Sequence, residues 1–392
     1  MIKVPKTTII NYYYLFVVIT YFIAIYLPFI RIGLSMSLFM IIGIYLLYSR
    51  NYYKLNNSLD VLVTLYIIYN IISFVFFAFS DLPVSVFIKE FSNSIFPILL
   101  FYFFGKISSN NSFLNVTLIS LVGCFIVGFY LQLTLPSSYA IHMNKIDAVG
   151  GTGRVNFISH YRSFLGLTAT GSLSAVCVLL SFDKTFKSKF RLGKIFLLVS
   201  IIALILTFRR AGLFTGIFAF LWINYSVLFK LKLSKFKFIL FEFILLFLGF
   251  WVFYKYNPEF FNSLLLRLNT FNSAINERSG NWTDGIAMTQ NLLTGDGLGR
   301  YSHKAVEYSD KFISDGNYFR MIAEIGILGF LIFTLIIITS LFKGYTNFKE
   351  KYIELGIIVI ICMQAVGSNV FAFQLIAPIF WYSIGRCSIL KK

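Results

Sequence analysis

Four arginines carry the chemistry that this sequence makes most conspicuous. Arg209 and Arg210 fill a turn of almost no length between two apolar stretches, and Arg154 and Arg278 each stand next to a membrane boundary. A charge near membrane depth is costly unless it is paired or hydrated, so arginines there mark a site by default. The other reading of the Arg209 and Arg210 pair is snorkelling to headgroup phosphates. A group of guanidinium forks at a membrane edge suits a phosphate or pyrophosphate, because each fork takes two oxygens and stays charged at cellular pH.

The most specific tract runs from Glu277 to Phe330. It reads ERSGNWTDGIAMTQNLLTGDGLGR and then YSHKAVEYSDKFISDGNYFRMIAEIGILGF. Arg278 and Trp282 are four residues apart and share a helix face. Gly295, Gly297 and Gly299 make a flexible G-x-G-x-G turn. No strand precedes it and the spacing is not that of a phosphate loop, so it is no nucleotide fingerprint. Ser314, Asp315 or Asn317 then caps a helix in which Arg320 and Glu324 form a mutually neutralising i, i+4 pair.

The elements that position these residues are membrane spans. The hydrophobic fraction is 58% and charged residues are only 13%. A soluble domain of this length could not bury that much apolar surface, and lipid crossed by helices of about 20 residues is the alternative. The apolar stretches are 9–29, 32–49, 59–80, 84–104, 112–133, 163–182, 195–208, 211–229, 238–254, 318–342, 353–369 and 371–385. The chain therefore reads as a single all-α polytopic membrane domain over 1–392, with about twelve transmembrane helices by length and hydropathy. The first stretch is too long for a cleaved signal.

Cations alternate between loops. One set of loops holds 20 basic against 5 acidic residues and the other 14 against 11. By the positive-inside rule the first set, with both termini, is cytoplasmic. The formal charge of +18 is thus a topology signal, and nucleic-acid binding, which wants one basic face, is not expected. Two longer segments, 134–162 and 255–317, fall outside. Pro258–Phe271 and Asn281–Leu293 have the spacing of amphipathic helices that lie in the interface or pack over the bundle. Cys124, Cys177, Cys362 and Cys387 read as small apolar fillers. His142, His160 and His303 lack metal-binding spacing, so neither metal nor cofactor is expected.

Several of these stretches resemble the superfamily of O-antigen ligases and O-antigen polymerases, bacterial polytopic proteins that act on undecaprenyl-pyrophosphate-linked sugars. LTFRRAGLFTG (206–216) is similar to the family's T-x-S-R-G/A turn, with Arg210 at the arginine. ERSGNW followed by NLLTGDGLG is similar to its R-x-x-x-W segment and N-P-x-x-G-x-G turn, with Leu292 in place of proline. SDGNYFRMIAEIGILGF is similar to the polymerase pattern D-N-x-x-L-R-L-x-x-E-x-G-I-x-G, with Gly316 in place of asparagine. VGGTGRVNFISHYRSFLG (149–166) looks like the family's arginine-bearing entry into a middle span, through Arg154.

The resemblance implies a C-type, metal-independent, inverting glycosyltransferase in the bacterial inner membrane, with its site facing the periplasm. The donor would be an undecaprenyl-pyrophosphate-linked oligosaccharide, and a chain-length regulator is a candidate partner. Asp315 occupies the position that ligases fill with histidine, which favours a polymerase over a ligase. Breaking a glycosyl–pyrophosphate bond builds negative charge on the leaving group, which preorganised cations stabilise. That role falls to Arg210 and Arg278, with Arg154 and Arg209 in support. The acceptor hydroxyl needs a base within hydrogen-bond reach; Asp315 is the first candidate, His303 the second and His160 a weaker third. Trp282, Tyr301 and Tyr318 are candidates to stack on sugar rings, or are interfacial aromatics. The competing class is a flippase or other carrier, whose charges would lie deep in spans, with Lys89 and Glu90 as the chief pair.

Overall fold

The computed structural model describes residues 6–23, 43, 53–108, 111–134, 167–186, 192–206, 210–226, 251, 254–255, 271–313 and 316–389. The expected spans 32–49 and 238–254 and the segments 135–162 and 256–270 lie almost wholly outside these residues. Among the described residues there is no strand. The helices are α1 (Lys6–Ile23), α2 (Ser58–Phe77), α3 (Val84–Ile107), α4 (Ser112–Thr134), α5 (Leu167–Phe186), α6 (Gly193–Leu206), α7 (Arg210–Tyr225), α8 (Phe271–Ala287), α9 (Asn317–Thr346), α10 (Phe348–Val366) and α11 (Ala377–Cys387). Four of them, α2, α3, Ser112–Tyr130 of α4, and α9, are long and apolar enough to cross a membrane. The protein is a multi-pass, helical membrane protein.

Local chemistry sets these elements. Asn57 opens α2 with a capping box: its side chain accepts from Asp60 N–H at 3.1 Å, and the Asp60 carboxylate accepts from Asn57 N–H at 3.2 Å. That closes two donors the first turn leaves open. Along α2 Val61, Leu65, Ile68 and Ile72 are exposed while Leu59, Val63, Tyr66 and Ile67 are buried. An apolar stripe on both faces is what a span needs when its outer solvent is hydrocarbon. In α3, Pro97 has no N–H to give, and a π turn follows it over Ile98–Tyr102.

The core gathers on Phe333 of α9, whose ring meets Tyr66, Phe371, Phe380 and Trp381 at centroid distances of 4.9–6.2 Å. The chain around α11 departs from the sequence reading. A span was expected over 371–385, but Gly367 to Ile376 is irregular and α11 has only 11 residues. That is roughly 16 Å of helix, about half of a hydrocarbon layer. Every residue of α11 is buried. Irregular backbone at membrane depth is tolerated only inside protein, and the irregular stretch and α11 together run from Asn317 at one end of the bundle to Ser108 at the other, so the segment crosses as irregular chain plus short helix. α11 crosses α3 at glycine: a Cβ on Gly385 would overlap the Tyr102 carbonyl, and one on Gly105 the Tyr382 carbonyl. Small residues let these backbones meet.

One end of the bundle collects cations. Lys106 Nζ reaches Asp60 at 2.7 Å and the Lys54 carbonyl at 2.5 Å, and Lys343 Nζ reaches Asn57 at 3.2 Å. Arg386 donates to Glu354 at 3.1 Å, to the Ser108 carbonyl, and to Asn111 at 3.2 Å. These belong to the cation-rich loops of the sequence. Gly385→Val should lower stability by about 1–3 kcal/mol, the usual cost of overpacking. Gly123→Ala, where a Cβ meets nothing within 4 Å, should leave the thermal midpoint of the detergent-solubilised protein unchanged or higher.

Candidate functional site at the break in α9

The opposite end is organised by a break in α9. Gly326 sits at φ 68°, ψ 177°, which interrupts the helix ladder. The freed groups are taken up by the loop that follows α8. Ile327 N–H donates to the Leu292 carbonyl at 2.9 Å and Leu328 N–H to the Leu293 carbonyl at 3.2 Å. In return, Asp296 N–H donates to the Ala323 carbonyl at 3.0 Å and Gly297 N–H to the Glu324 carbonyl at 2.9 Å. Gly295 makes the approach possible. It has φ 76°, and a Cβ there would overlap the Glu324 carbonyl and the Gly326 nitrogen. The glycine triplet expected as a flexible turn is therefore a fixed splice. A left-handed backbone and a backbone-to-backbone contact both demand glycine.

Buried ions hold this splice. Glu90 of α3 is buried and pairs with Lys304 Nζ at 2.6 Å and with the Arg320 guanidinium at 3.0 Å. Lys304 also donates to the Lys89 carbonyl at 3.0 Å. Glu324 is buried and accepts from Tyr301 N–H at 3.2 Å. Its carboxylate stands 4.0 Å from Arg320 Nε. The i, i+4 pair expected between Arg320 and Glu324 is thus the longer contact, and Glu90 is the guanidinium's nearer partner. Asp296 is buried too, accepting from Gln290 N–H at 2.9 Å, Asn291 N–H at 3.1 Å and Tyr301 Oη at 2.6 Å. A small cavity borders Arg320, Glu324, Asn317, Ser94 and Trp381, with about 20 Å³ of room for the centre of a water molecule. That is the size of one water, so it accommodates neither a diphosphate nor a sugar ring.

The residues expected to do chemistry divide into three groups. Arg154, Arg209, His160 and Asp315 lie outside the described residues, and the side chains of Arg210 and Arg278 do too. The backbone positions of the last two are clear. Arg210 is the first residue of α7. The far end of α7 meets the start of α10, through Trp222 Nε1 donating to the Tyr352 carbonyl at 2.7 Å and Tyr225 packing on Phe348. Arg210 therefore stands at the end of the bundle where α9 begins. Arg278 lies on α8 one turn before Trp282. Trp282 stacks on Phe319 with centroids 4.5 Å apart and planes 12° apart. Its Nε1 lies against Gly316, where an added Cβ would be only 2.5 Å away. The helix carrying Arg278 is thus laid beside the residue that follows Asp315.

The remaining aromatic and acid–base candidates are structural or peripheral. Tyr301, a candidate for a sugar ring or an interfacial aromatic, is buried; its hydroxyl donates to Asp296 at 2.6 Å, with the Met288 carbonyl 3.1 Å away. Burial and then the carboxylate push its phenol far above the ordinary range. Tyr318 donates to the Cys362 carbonyl at 2.8 Å and packs on Phe330 and Phe371. The Tyr301 ring is buried, and the Tyr318 ring is half-buried. His303 is exposed and packs near Phe312. Asn317 caps nothing. Gly316, at φ 92°, is the N-cap of α9, and the Asn317 side chain instead accepts from Phe371 N–H at 3.1 Å. Sequence reading missed the role of Glu90. The signal was an acid inside an apolar stretch with no local partner but Lys89.

The ion quartet makes a graded prediction. Glu90→Ala should cost about 3–5 kcal/mol, because it strands the buried Arg320 guanidinium. Lys304→Ala should cost about 1 kcal/mol or less, since its ammonium is a quarter exposed and screened by water. Thermal midpoints of the two purified variants, with the same lipid present, check the order.

No protein-family model matches this chain, and no curated protein matches it either.

Proposed function

We propose that this protein is a glycosyltransferase of the bacterial inner membrane. In this reading it polymerises undecaprenyl-pyrophosphate-linked oligosaccharide units into a surface polysaccharide such as O-antigen. The bundle has twelve spans with both termini cytoplasmic, and the end carrying the Gly326 break faces the periplasm. Arg210 and Arg278, aided by Arg154 and Arg209, grip the departing diphosphate. Asp315, or failing it His303, takes the proton of the acceptor hydroxyl. The sugar is displaced from the diphosphate with inversion, and no metal is required.

The observation that carries this reading is the seating of α8. Trp282 holds the helix that bears Arg278 against the first turn of α9, directly after Asp315. The helix that bears Arg278 thus lies beside Gly316, the residue that follows Asp315 in sequence. Arg210 opens α7 at the same end of the bundle. Grouping charge where charge develops is the dominant source of catalysis in such transfers. The carrier reading has less support. Glu90, its chief candidate charge, is fully engaged by Lys304 and Arg320 in holding a loop.

The test is a vesicle assay with lipid-linked repeat units and no ATP or metal. Wild-type protein should lengthen the glycan. Arg210→Ala and Arg278→Ala should each abolish extension, and Arg278→Lys should stay poor, because an ammonium lacks the planar fork. Asp315→Asn should bind the donor but not transfer. Normal chain lengths from both alanine variants would remove the arginine assignment, and transbilayer movement without lengthening would turn the reading into a carrier.

A further inference from the structure

The sequence places the loop after α8 in an outer segment, with Asn281–Leu293 as a helix in the interface or over the bundle. From Thr289 to Gly295 the N–H groups of every residue but Leu292 are bonded within the protein. Thr289 donates to the Ile286 carbonyl, Gln290 and Asn291 donate to the Asp296 carboxylate, and Gly295 donates to the Asn291 carbonyl. Leu293 and Thr294 donate to the Asn291 side chain at 3.0 and 3.3 Å. The carbonyls of Leu292, Leu293 and Thr294 accept from Ile327, Leu328 and the Tyr69 hydroxyl. A loop in water has no need of this, since water satisfies backbone groups there. A loop in lipid has no other choice.

Its side chains tell the same story. Met288, Leu292 and Leu293 are 45%, 42% and 56% exposed. Leu292 and Leu293 lie beside Ile327 and Leu328, which open the exposed apolar stripe of α9 that continues through Leu331, Leu335 and Ile338. The contact is ten residues into α9, about 15 Å along the helix from Asn317. On the neighbouring α2, whose Tyr69 touches the loop, exposed Ile71, Ile72 and Val75 continue the apolar surface at and beyond that level. The loop's outward leucines are therefore flanked on both sides by surfaces that only hydrocarbon would cover.

We infer that the loop dips at Leu292–Leu293, whose apolar side chains enter the lipid leaflet at the broken end of α9. The partner is the bilayer's acyl region. The inference stands on the loop's own contacts and does not rest on the reaction proposed above.

Site-directed spin labels test it. In a background with the four native cysteines replaced, Leu293→Cys and, separately, Leu292→Cys are labelled and reconstituted into vesicles of phosphatidylcholine and phosphatidylglycerol. Leu328→Cys serves as a lipid-facing reference and Asp284→Cys, on the exposed polar face of α8, as a solvent-facing one. Labels at 292 and 293 should be relaxed more by oxygen than by a water-soluble nickel chelate, as at 328. Both positions relaxed chiefly by nickel, as at 284, would overturn the inference and return the segment to solvent or to a protein partner.

Discussion

A broken helix in a membrane protein is a debt of hydrogen bonds, and the structure turns on how that debt at Gly326 is met. Two amides and two carbonyls lose their helical partners there, and each would cost several kcal/mol in hydrocarbon. The loop from Leu292 to Gly297 supplies all four replacements through its own backbone. Because the repair is backbone to backbone, it depends on Gly295 and Gly326 having no side chains. This splice fixes the depth of the loop, the register of α8 and the direction in which α9 leaves the break.

The splice in turn needs ions. Lys304 and Tyr301 lie on the loop, Arg320 and Glu324 on α9, and Glu90 on α3, so the quartet of charges ties three segments distant in sequence. A buried ion network is rarely more stabilising than a packed apolar one, but it punishes every wrong partner with an unpaired charge. Specificity is what a loop on a membrane surface lacks otherwise. Its apolar residues would be content against lipid in many arrangements. The cation-rich end of the bundle uses the same device with Asp60, Lys106, Glu354 and Arg386.

The sequence displayed the helices more plainly than the site. Hydropathy located α2, α3, α4 and α9 within a few residues, because a lipid-facing helix must be apolar over its whole length. It located the last apolar segment but not its form, since chain buried in protein is just as apolar and only 377–387 of it is helix, packed on Tyr102 and Phe333. The helix expected over Asn281–Leu293 runs over Phe271–Ala287 instead. Just past its end, the Asp296 carboxylate takes the N–H groups of Gln290 and Asn291, a contact that no local pattern announces. The i, i+4 spacing of Arg320 and Glu324 was legible, but the competing acid, Glu90, is 230 residues away in the chain. Tyr301 and Tyr318 had the composition of a sugar platform and the surroundings of a core.

The quartet also constrains where a diphosphate would be met. Glu90 engages both Lys304 and Arg320, so these two cations are already held by a carboxylate and are poorly placed to receive an anion. The cavity beside it has room for one water. A polyanionic leaving group therefore has to find its cations elsewhere at this end of the bundle. The described backbone offers two such positions, Arg210 at the head of α7 and Arg278 one turn from Trp282. In the proposed reaction the quartet would hold the loop and α9 rigid, while arginines on other helices would do the binding. Rigid placement of charge is what separates an electrostatic site from a merely basic surface.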